Sequence, residues 1–372
     1  MATEAIYAVS GDPWTKGHTD IVKRALQIFD TVIVAIGMNP KKSYTFSLGM
    51  RKKLAQVSLA KYMDRLEVVT FEGLLVDFAY TRGVKTIIRG IRDDLDFNFE
   101  KSMFQVNITQ KGVDEIFLFP RPEVEFISSS AVRELQRNQG DITKYVDLRV
   151  KQAMEVHLSN QRLIGITGTV GAGKTYMANK LCEIGRKNMK MDFHNIELDT
   201  IGRDLLSKDT RTFARNMRLN LINAWEDCSL LVDPKGTQQF IDIKKLASKI
   251  FSQASALAVY NQYSMGPILF ELQNQLRGKT GFIFINSALL IEGQLTKLCN
   301  NNVLFITAPD LSGRMDGQFS ENRKIRAFSE ALGEEGPDRD WGHFFSLQNK
   351  PELNDRDLLH TLEQIINIAE CI

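Results

Sequence analysis

Two short stretches of the sequence have the residue types and spacing to hold phosphate. The first is Ser10–His18, SGDPWTKGH, where two glycines and a proline force a sharp turn between an apolar run and a helical pattern. A turn that feeds a helix N-terminus offers unpaired backbone N–H groups at the positive end of the helix dipole, and anions bind there. His18 falls in the first helical turn, where its imidazole can donate to a phosphate oxygen. A lone histidine on a capped helix is more often a plain surface residue, so the turn gains meaning from its company. Asn39–Lys42 (NPKK) supplies Lys42, Ile88–Arg92 (IRGIR) supplies Arg89 and Arg92, and Glu125–Ser130 (EFISSS) places Ser128, Ser129 and Ser130 before a helix. All four pieces are expected beyond strand C-terminal ends, where open α/β sheets bind ligands. Cations beside helix N-terminal donors suit a polyphosphate.

The second stretch is Gly168–Thr175, GTVGAGKT, which fits GxxxxGK[ST] between a strand at Leu163–Thr167 and a helix starting near Tyr176. In such a loop the amides of Gly168, Gly171, Ala172 and Gly173 cradle a β-phosphate. Lys174 reaches the β- and γ-phosphates, and Thr175 ligates Mg2+. Downstream, Glu197–Arg203 (ELDTIGR) brings Asp199, a carboxylate able to orient or deprotonate an attacking hydroxyl. N-capping of a helix over Thr200–Leu206 is the competing role for Asp199.

These residues need a scaffold, and the sequence alternates to provide one. Strands are expected at Ala5–Val9, Thr31–Ile36, Leu66–Thr70, Thr86–Ile88 and Glu115–Leu118. Helices are expected at Asp20–Phe29, Arg51–Lys61, Leu74–Thr81 and from Ser130 to Gln136. The pattern restarts after Ser159–Gln161. A strand at Arg162–Thr167 is followed by helices at Ile201–Leu206, Ile241–Tyr260 and Pro267–Leu276, and by strands at Gly281–Ile285 and Asn302–Ile306. Gly333–Trp341, rich in glycine and acid, reads as a loop. The expected fold is α/β, two doubly wound parallel-sheet domains over residues 1–160 and 161–372.

Composition narrows the function. The 372 residues are 43% hydrophobic and 25% charged, the balance of an ordinary globular protein. Residues 1–158 carry 22 basic and 20 acidic residues, leaving 47 − 22 = 25 and 45 − 20 = 25 for the rest. Neither half is a basic module, so no nucleic-acid partner is expected. No apolar run approaches membrane-spanning length and no basic-then-apolar leader opens the chain, so no membrane partner is expected. Cys182, Cys228, Cys299 and Cys371 form no CxxC pair, which fits a reducing cytoplasm. His157, His194, His343 and His360 show no ligand spacing, Phe117 and Phe119 read as core, Trp341 as a surface aromatic, and Arg51–Lys53 as a solvated helix face.

Residues 1 to about 158 resemble the bacterial phosphopantetheine adenylyltransferases. Thr15–His18 (TKGH), the NPKK loop, IRGIR, Asp96–Glu100 (DFNFE) and ISSS occur in that family's order and spacing. The resemblance implies a Rossmann-like nucleotidyltransferase that moves AMP from ATP to 4′-phosphopantetheine. It implies that His18 stabilises the α-phosphate, that Ser10, Lys42, Leu74 and Arg89 hold the acceptor, and that Ser10, Arg92, Glu100 and Ser128–Ser130 bind ATP. It also implies assembly of copies through this half. Residues 162–372 resemble dephospho-coenzyme A kinase through the P-loop, ELDTIGR, Pro267, LLIE and Asn349. That resemblance implies a P-loop kinase with Asp199 as general base for a ribose 3′-hydroxyl, Arg203 on the acceptor, and Mg2+ beside ATP.

Departures accompany both resemblances. Val9, Ser10 and Gly11 stand where the first family has glycine, a hydroxyl residue and phenylalanine. Glu197 and Asn286–Ser287–Ala288 replace Asp and Asp-x-Pro of the second, and Arg314 to Arg326 lacks its arginine arrangement. A single chain with both halves would perform the last two steps of coenzyme A synthesis. Two other readings stay open: an adenylyltransferase fused to a P-loop NTPase of other substrate, and a non-catalytic nucleotide sensor.

Overall fold

The structure is a computed structural model that describes residues 3–39, 42–92, 94, 97–98, 100–101, 104, 109, 112–169, 171–233, 236–252, 254–291, 293–308 and 342–370. The chain divides into two compact units, one over Met1–Asn160 and one from Gln161 on.

In the first unit, strands β1 (Glu4–Val9), β2 (Thr31–Gly37), β3 (Leu66–Phe71), β4 (Thr86–Gly90) and β5 (Asp114–Leu118) form a parallel sheet in the order β3-β2-β1-β4-β5. Alternation of side chains explains why these runs are apolar on both faces. Ala5, Tyr7, Val32, Val34 and Ile36 enter one core cluster, with Trp14, Phe46 and Leu54. Ile6, Ile33 and Ala35 enter the other, with Val76 and Ile87. The helices are α1 (Lys16–Ala25), α2 (Leu48–Ser58), α3 (Leu75–Arg82), α4 (Ser129–Arg137) and α5 (Leu148–Ser159), plus a short turn of helix at Pro122–Glu125.

The second unit repeats the architecture with other wiring. Strands β6 (Gln161–Gly168), β7 (Phe193–Glu197), β8 (Gly281–Asn286), β9 (Asn302–Thr307) and β10 (His343–Gln348) are parallel in the order β10-β9-β6-β8-β7. Every residue of β8 is buried, and Phe193 stacks on Phe282 at 5.4 Å between ring centroids. The helices are α6 (Lys174–Asn188), α7 (Leu198–Ser207), α8 (Thr212–Trp225), α9 (Ile243–Ser252), α10 (Ala254–Leu276) and α11 (Asp355–Glu370). Among the described residues no helix is long and apolar enough to cross a membrane.

The structure corrects several expectations. Helix α1 starts at Lys16, four residues before the expected Asp20, because Thr15 caps it. The expected Arg51–Lys61 helix runs Leu48–Ser58 and ends in a 3-10 turn at Ala60–Tyr62. The expected Ile241–Tyr260 segment divides between α9 and α10, and α10 continues through Pro267 instead of starting there. Proline removes one helical hydrogen bond, but Ser264, Ile268 and Leu272 bury the helix on either side of it. Phe119 is 51% exposed and so is not core. Arg51 has no exposed surface and so belongs to no solvated face. Helices α8 and α11 and strand β10 had no expectation. The expected loop Gly333–Trp341, with Trp341 itself, the segment Arg314–Arg326 and Cys371 lie outside the described residues. Of the other cysteines, Cys182 and Cys299 are buried and Cys228 is exposed.

Candidate functional site

The Ser10–His18 turn leaves the C-terminal end of β1, the central strand of the first sheet. Gly11 has φ +61, a left-handed conformation a phenylalanine would adopt only under strain. Thr15 is the N-cap of α1: its Oγ1 accepts from the His18 N–H at 3.4 Å. In return the Thr15 backbone N–H donates to His18 Nδ1 at 3.0 Å, a capping box with histidine at the third position. A backbone N–H can only donate, so Nδ1 is the unprotonated nitrogen and Nε2 carries the hydrogen. Burial first, and the Arg92 charge second, pull the His18 pKa down to about 4. His18 is therefore a neutral donor through Nε2, set in the first turn of a helix whose last turn carries Lys23 and Arg24.

Side chains distant in sequence hold this turn. Arg51, wholly buried, donates through Nη1 to the carbonyls of Ser10 at 2.6 Å and Gly37 at 2.8 Å, with Tyr44 against its guanidinium. It thereby joins the ends of β1 and β2. Asp12 accepts from the Thr45 and Phe46 amides at 2.8 and 3.0 Å, and Arg133 donates to its carbonyl. Ser129 donates to the Pro13 carbonyl at 2.9 Å. Trp14 is fully buried and donates to Thr19 Oγ1 at 2.9 Å. Val9 is partly buried against the core cluster, so its branched side chain packs within the sheet.

The structure brings some of the expected residues together and leaves others apart. Ser129 is tied to the turn that carries Ser10 and His18 through the Pro13 carbonyl, and the charge of Arg92 acts on His18. Ser128 caps α4 by accepting from the Ala131 N–H at 3.1 Å, and Ser130 accepts from Arg133. Arg89, at the end of β4, pairs with Glu100 and Glu115. Glu100, expected on ATP, thus contacts Arg89, expected on the acceptor. Lys42 and Leu74 follow β2 and β3 and are exposed. Among the described residues neither side chain has a hydrogen bond or ion pair to the turn.

In the second unit the glycines carry the geometry. A Cβ on Gly168 (φ +155) would lie 2.0 Å from the Ile306 carbonyl oxygen, and one on Gly173 (φ +79) would lie 2.6 Å from Asn349 Nδ2. Asn349, just past β10, donates to the Ala172 carbonyl at 2.9 Å and braces the loop. Gly171 also has positive φ, at +82. Lys174 is the first residue of α6 and donates through Nζ to the Thr169 carbonyl at 3.3 Å.

The end of β8 faces this loop. Asn286, the last residue of β8, donates through Nδ2 to Thr175 Oγ1 at 3.4 Å. Asp199 is not the N-cap; Glu197 holds that position, without a side-chain cap bond. The Asp199 carboxylate instead accepts from Ser287 Oγ and from the Ala288 N–H, each at 2.9 Å. The capping rule points to Asp199, two residues too far along the chain, because α7 begins directly where β7 ends. Glu197 accepts from Thr200 Oγ1, which also accepts from Arg203 Nη2 at 2.8 Å. Beside Asp199 lies a cavity of about 70 Å3, lined by Gly202, Tyr260, Ile268 and Leu289 among others. The roles of Arg51, Arg133 and Asp12 were invisible to motif reading, since the hydrogen bonds by which they hold the turn span 33 to 121 residues.

Comparison with known proteins fits this geometry. Residues 10–135 match the family described as cytidylyltransferase-like, and residues 162–315 match dephospho-CoA kinase. Fold and matches together define the class: a nucleotidyltransferase-like domain followed by a P-loop kinase domain. More particularly, the chain joins a cytidylyltransferase-like domain to a dephospho-CoA kinase domain, a pairing consistent with a bifunctional coenzyme A synthase. Similar solved structures are distant. TT1252 from Thermus thermophilus is 20% identical with a TM-score of 0.37, over 56% of this chain and 97% of its own. Nicotinic acid mononucleotide adenylyltransferase from Plasmodium falciparum, complexed with NaAD, is 17% identical with a TM-score of 0.33, over 42% and 95%. NadR protein in complex with NAD and AMP-PNP is 12% identical with a TM-score of 0.34, over 100% and 97%. At these scores the structural likenesses carry no functional weight.

Proposed function

We propose that the chain carries out the last two steps of coenzyme A biosynthesis. In the first unit the phosphate of 4′-phosphopantetheine attacks the α-phosphorus of ATP, and pyrophosphate leaves. The nucleophile is already an anion, so catalysis consists of positioning and charge stabilisation rather than proton abstraction. The neutral Nε2–H of His18 donates to the α-phosphate as charge builds on it. Arg92, Glu100, Ser10 and the start of α4 at Ser128–Ser130 hold ATP. Lys42, Leu74, Arg89 and Ser10 hold the acceptor.

In the second unit the ribose 3′-hydroxyl of dephospho-coenzyme A attacks the γ-phosphorus of a second ATP. Asp199 takes the proton, ADP leaves, and Arg203 holds the acceptor. The P-loop from Gly168 through Gly171, Ala172 and Gly173 cradles the phosphates, with Lys174 bridging them. Among the described residues no cluster of three or more His, Cys, Asp or Glu side chains could hold a metal. The Thr175 hydroxyl, with Asn286 against it, is an oxygen donor suited to Mg2+ alongside nucleotide phosphates. Mg2+ bound there would neutralise phosphate charge. The reading places both reactions in the cytoplasm.

The observation that carries this reading is the pairing itself: the product of the first chemistry is the substrate of the kinase family matched by the second half. A second reading is favoured by one observation. Asn286, an amide rather than a carboxylate, faces Thr175, which suits a P-loop half that binds nucleotide without phosphorylating dephospho-coenzyme A. Incubation with 4′-phosphopantetheine, ATP and Mg2+, followed by mass analysis, separates the two. Coenzyme A supports the bifunctional reading; accumulation of dephospho-coenzyme A alone supports the second.

A further inference from the structure

The Arg89 guanidinium lies between two carboxylates that differ in kind. Its Nε is 3.2 Å from Glu100 Oε2 and 3.4 Å from Glu115 Oε2, and its Nη2 is 3.5 Å from Glu115 Oε1. The Glu115 side chain has no exposed surface, whereas that of Glu100 keeps 22%. Glu115 also stands on β5, opposite Ile87 and two residues from Arg89 along the β4–β5 ladder. Residues two apart share a sheet face, so both ends of this pair are fixed by strands.

The side-on contact through Nε and Nη2 sets the plane of the guanidinium, because the group is a rigid fork. Taking Arg89 away from Glu115 removes a charge partner from a wholly buried carboxylate, which is costly. Taking it away from Glu100 releases an acid that already meets solvent. We propose that Glu115 is a positioning residue that orients Arg89 toward the phosphate monoester of the acceptor, and that Glu100 is an exchangeable anion which that phosphate displaces. The proposal rests on the reading that the first unit binds such an acceptor.

The two acids must then act in opposite directions. Glu100→Gln removes a competitor and tightens phosphate binding. Glu115→Gln loosens the fork and weakens binding by about tenfold, the scale of one lost charge-assisted hydrogen bond. If both acids merely set the local field, both substitutions tighten binding. The measurement is calorimetric affinity of the full chain for inorganic phosphate, in a Lys174→Ala background that silences the P-loop, with Arg89→Ala as the zero point. Acceptor KM is read in parallel for the otherwise native chain. It rises with Glu115→Gln while the ATP KM stays put. Changes of the same sign, or none, overturn the proposal, as does an equal rise in both KM values.

Should Glu115→Gln fail to fold, Glu115→Asp keeps the charge but shortens the reach. Positioning predicts weaker phosphate binding for it, and a field effect predicts none. Failure of the functional reading looks different. The native chain would then make neither dephospho-coenzyme A nor coenzyme A while the opposite signs on phosphate persisted.

Discussion

The two turns proposed to bind phosphate solve one problem by different means. Both follow the central strand of a parallel sheet and both open a helix. The Lys174 loop depends on missing side chains: at Gly168 and Gly173 a Cβ would collide with Ile306 and Asn349. The His18 turn depends on added ones, with Arg51, Arg133 and Ser129 tying its carbonyls to other elements. A loop built from glycine is local and self-contained. A turn built from straps is only as good as the tertiary structure around it.

Substitutions can break that contrast, and the largest effects come from the anion-binding groups themselves. Lys174→Ala is expected to stop the second reaction, by at least about 10^3-fold, while dephospho-coenzyme A formation continues. A mass assay that still shows coenzyme A would assign the kinase step elsewhere. His18→Ala should lower the first reaction by about 10^2- to 10^3-fold, one preorganised donor's worth. Added dephospho-coenzyme A should remain a kinase substrate for that variant.

The supports come next. Gly168→Ala pushes a Cβ against a backbone carbonyl and should cost about 3 kcal/mol of stability in denaturant titration, at the upper end for overpacking. An unchanged midpoint would mean the loop can relax. Arg51→Met leaves the Ser10 and Gly37 carbonyls without their donor and should slow the first reaction about tenfold. The second reaction, in the same chain, serves as the internal control.

The same contrast explains what could be read from sequence. Parallel sheets buried on both faces write themselves as β-branched runs, so β1, β2 and β8 were legible. So was the P-loop, because its constraint lies in eight consecutive residues. Arg51 was not legible, since a buried arginine and a solvated one look alike in an amphipathic stretch. Asp199 was legible as a carboxylate but not as the partner of Ser287 and Ala288, a contact spanning 88 to 89 residues. Helix α10 misled because proline usually ends a helix, and burial outweighed that preference here.

The smallest predicted effect is on pH dependence. With the His18 pKa lowered to about 4 from 6.5, the ring is neutral in the folded chain through the range where a free histidine titrates. The first reaction should therefore show no limb near pH 6.5 and decline only as pH falls toward 4. The unfolded chain takes up this proton near 6.5 and the folded chain does not. Stability linked to His18 is thus intact above pH 6.5 and is lost between 6.5 and 4. A rate profile with a limb at 6.5, or a melting temperature that does not change between pH 6.5 and 4, would contradict the lowered His18 pKa.

The central claim is that one chain holds two working triphosphate cradles with two different bond-breaking positions. Supplying 4′-phosphopantetheine with ATP labelled at either the α- or the γ-phosphorus tests it directly. The account predicts coenzyme A that carries one phosphate from the α position and one from the γ position. Product labelled only from the α position would contradict it.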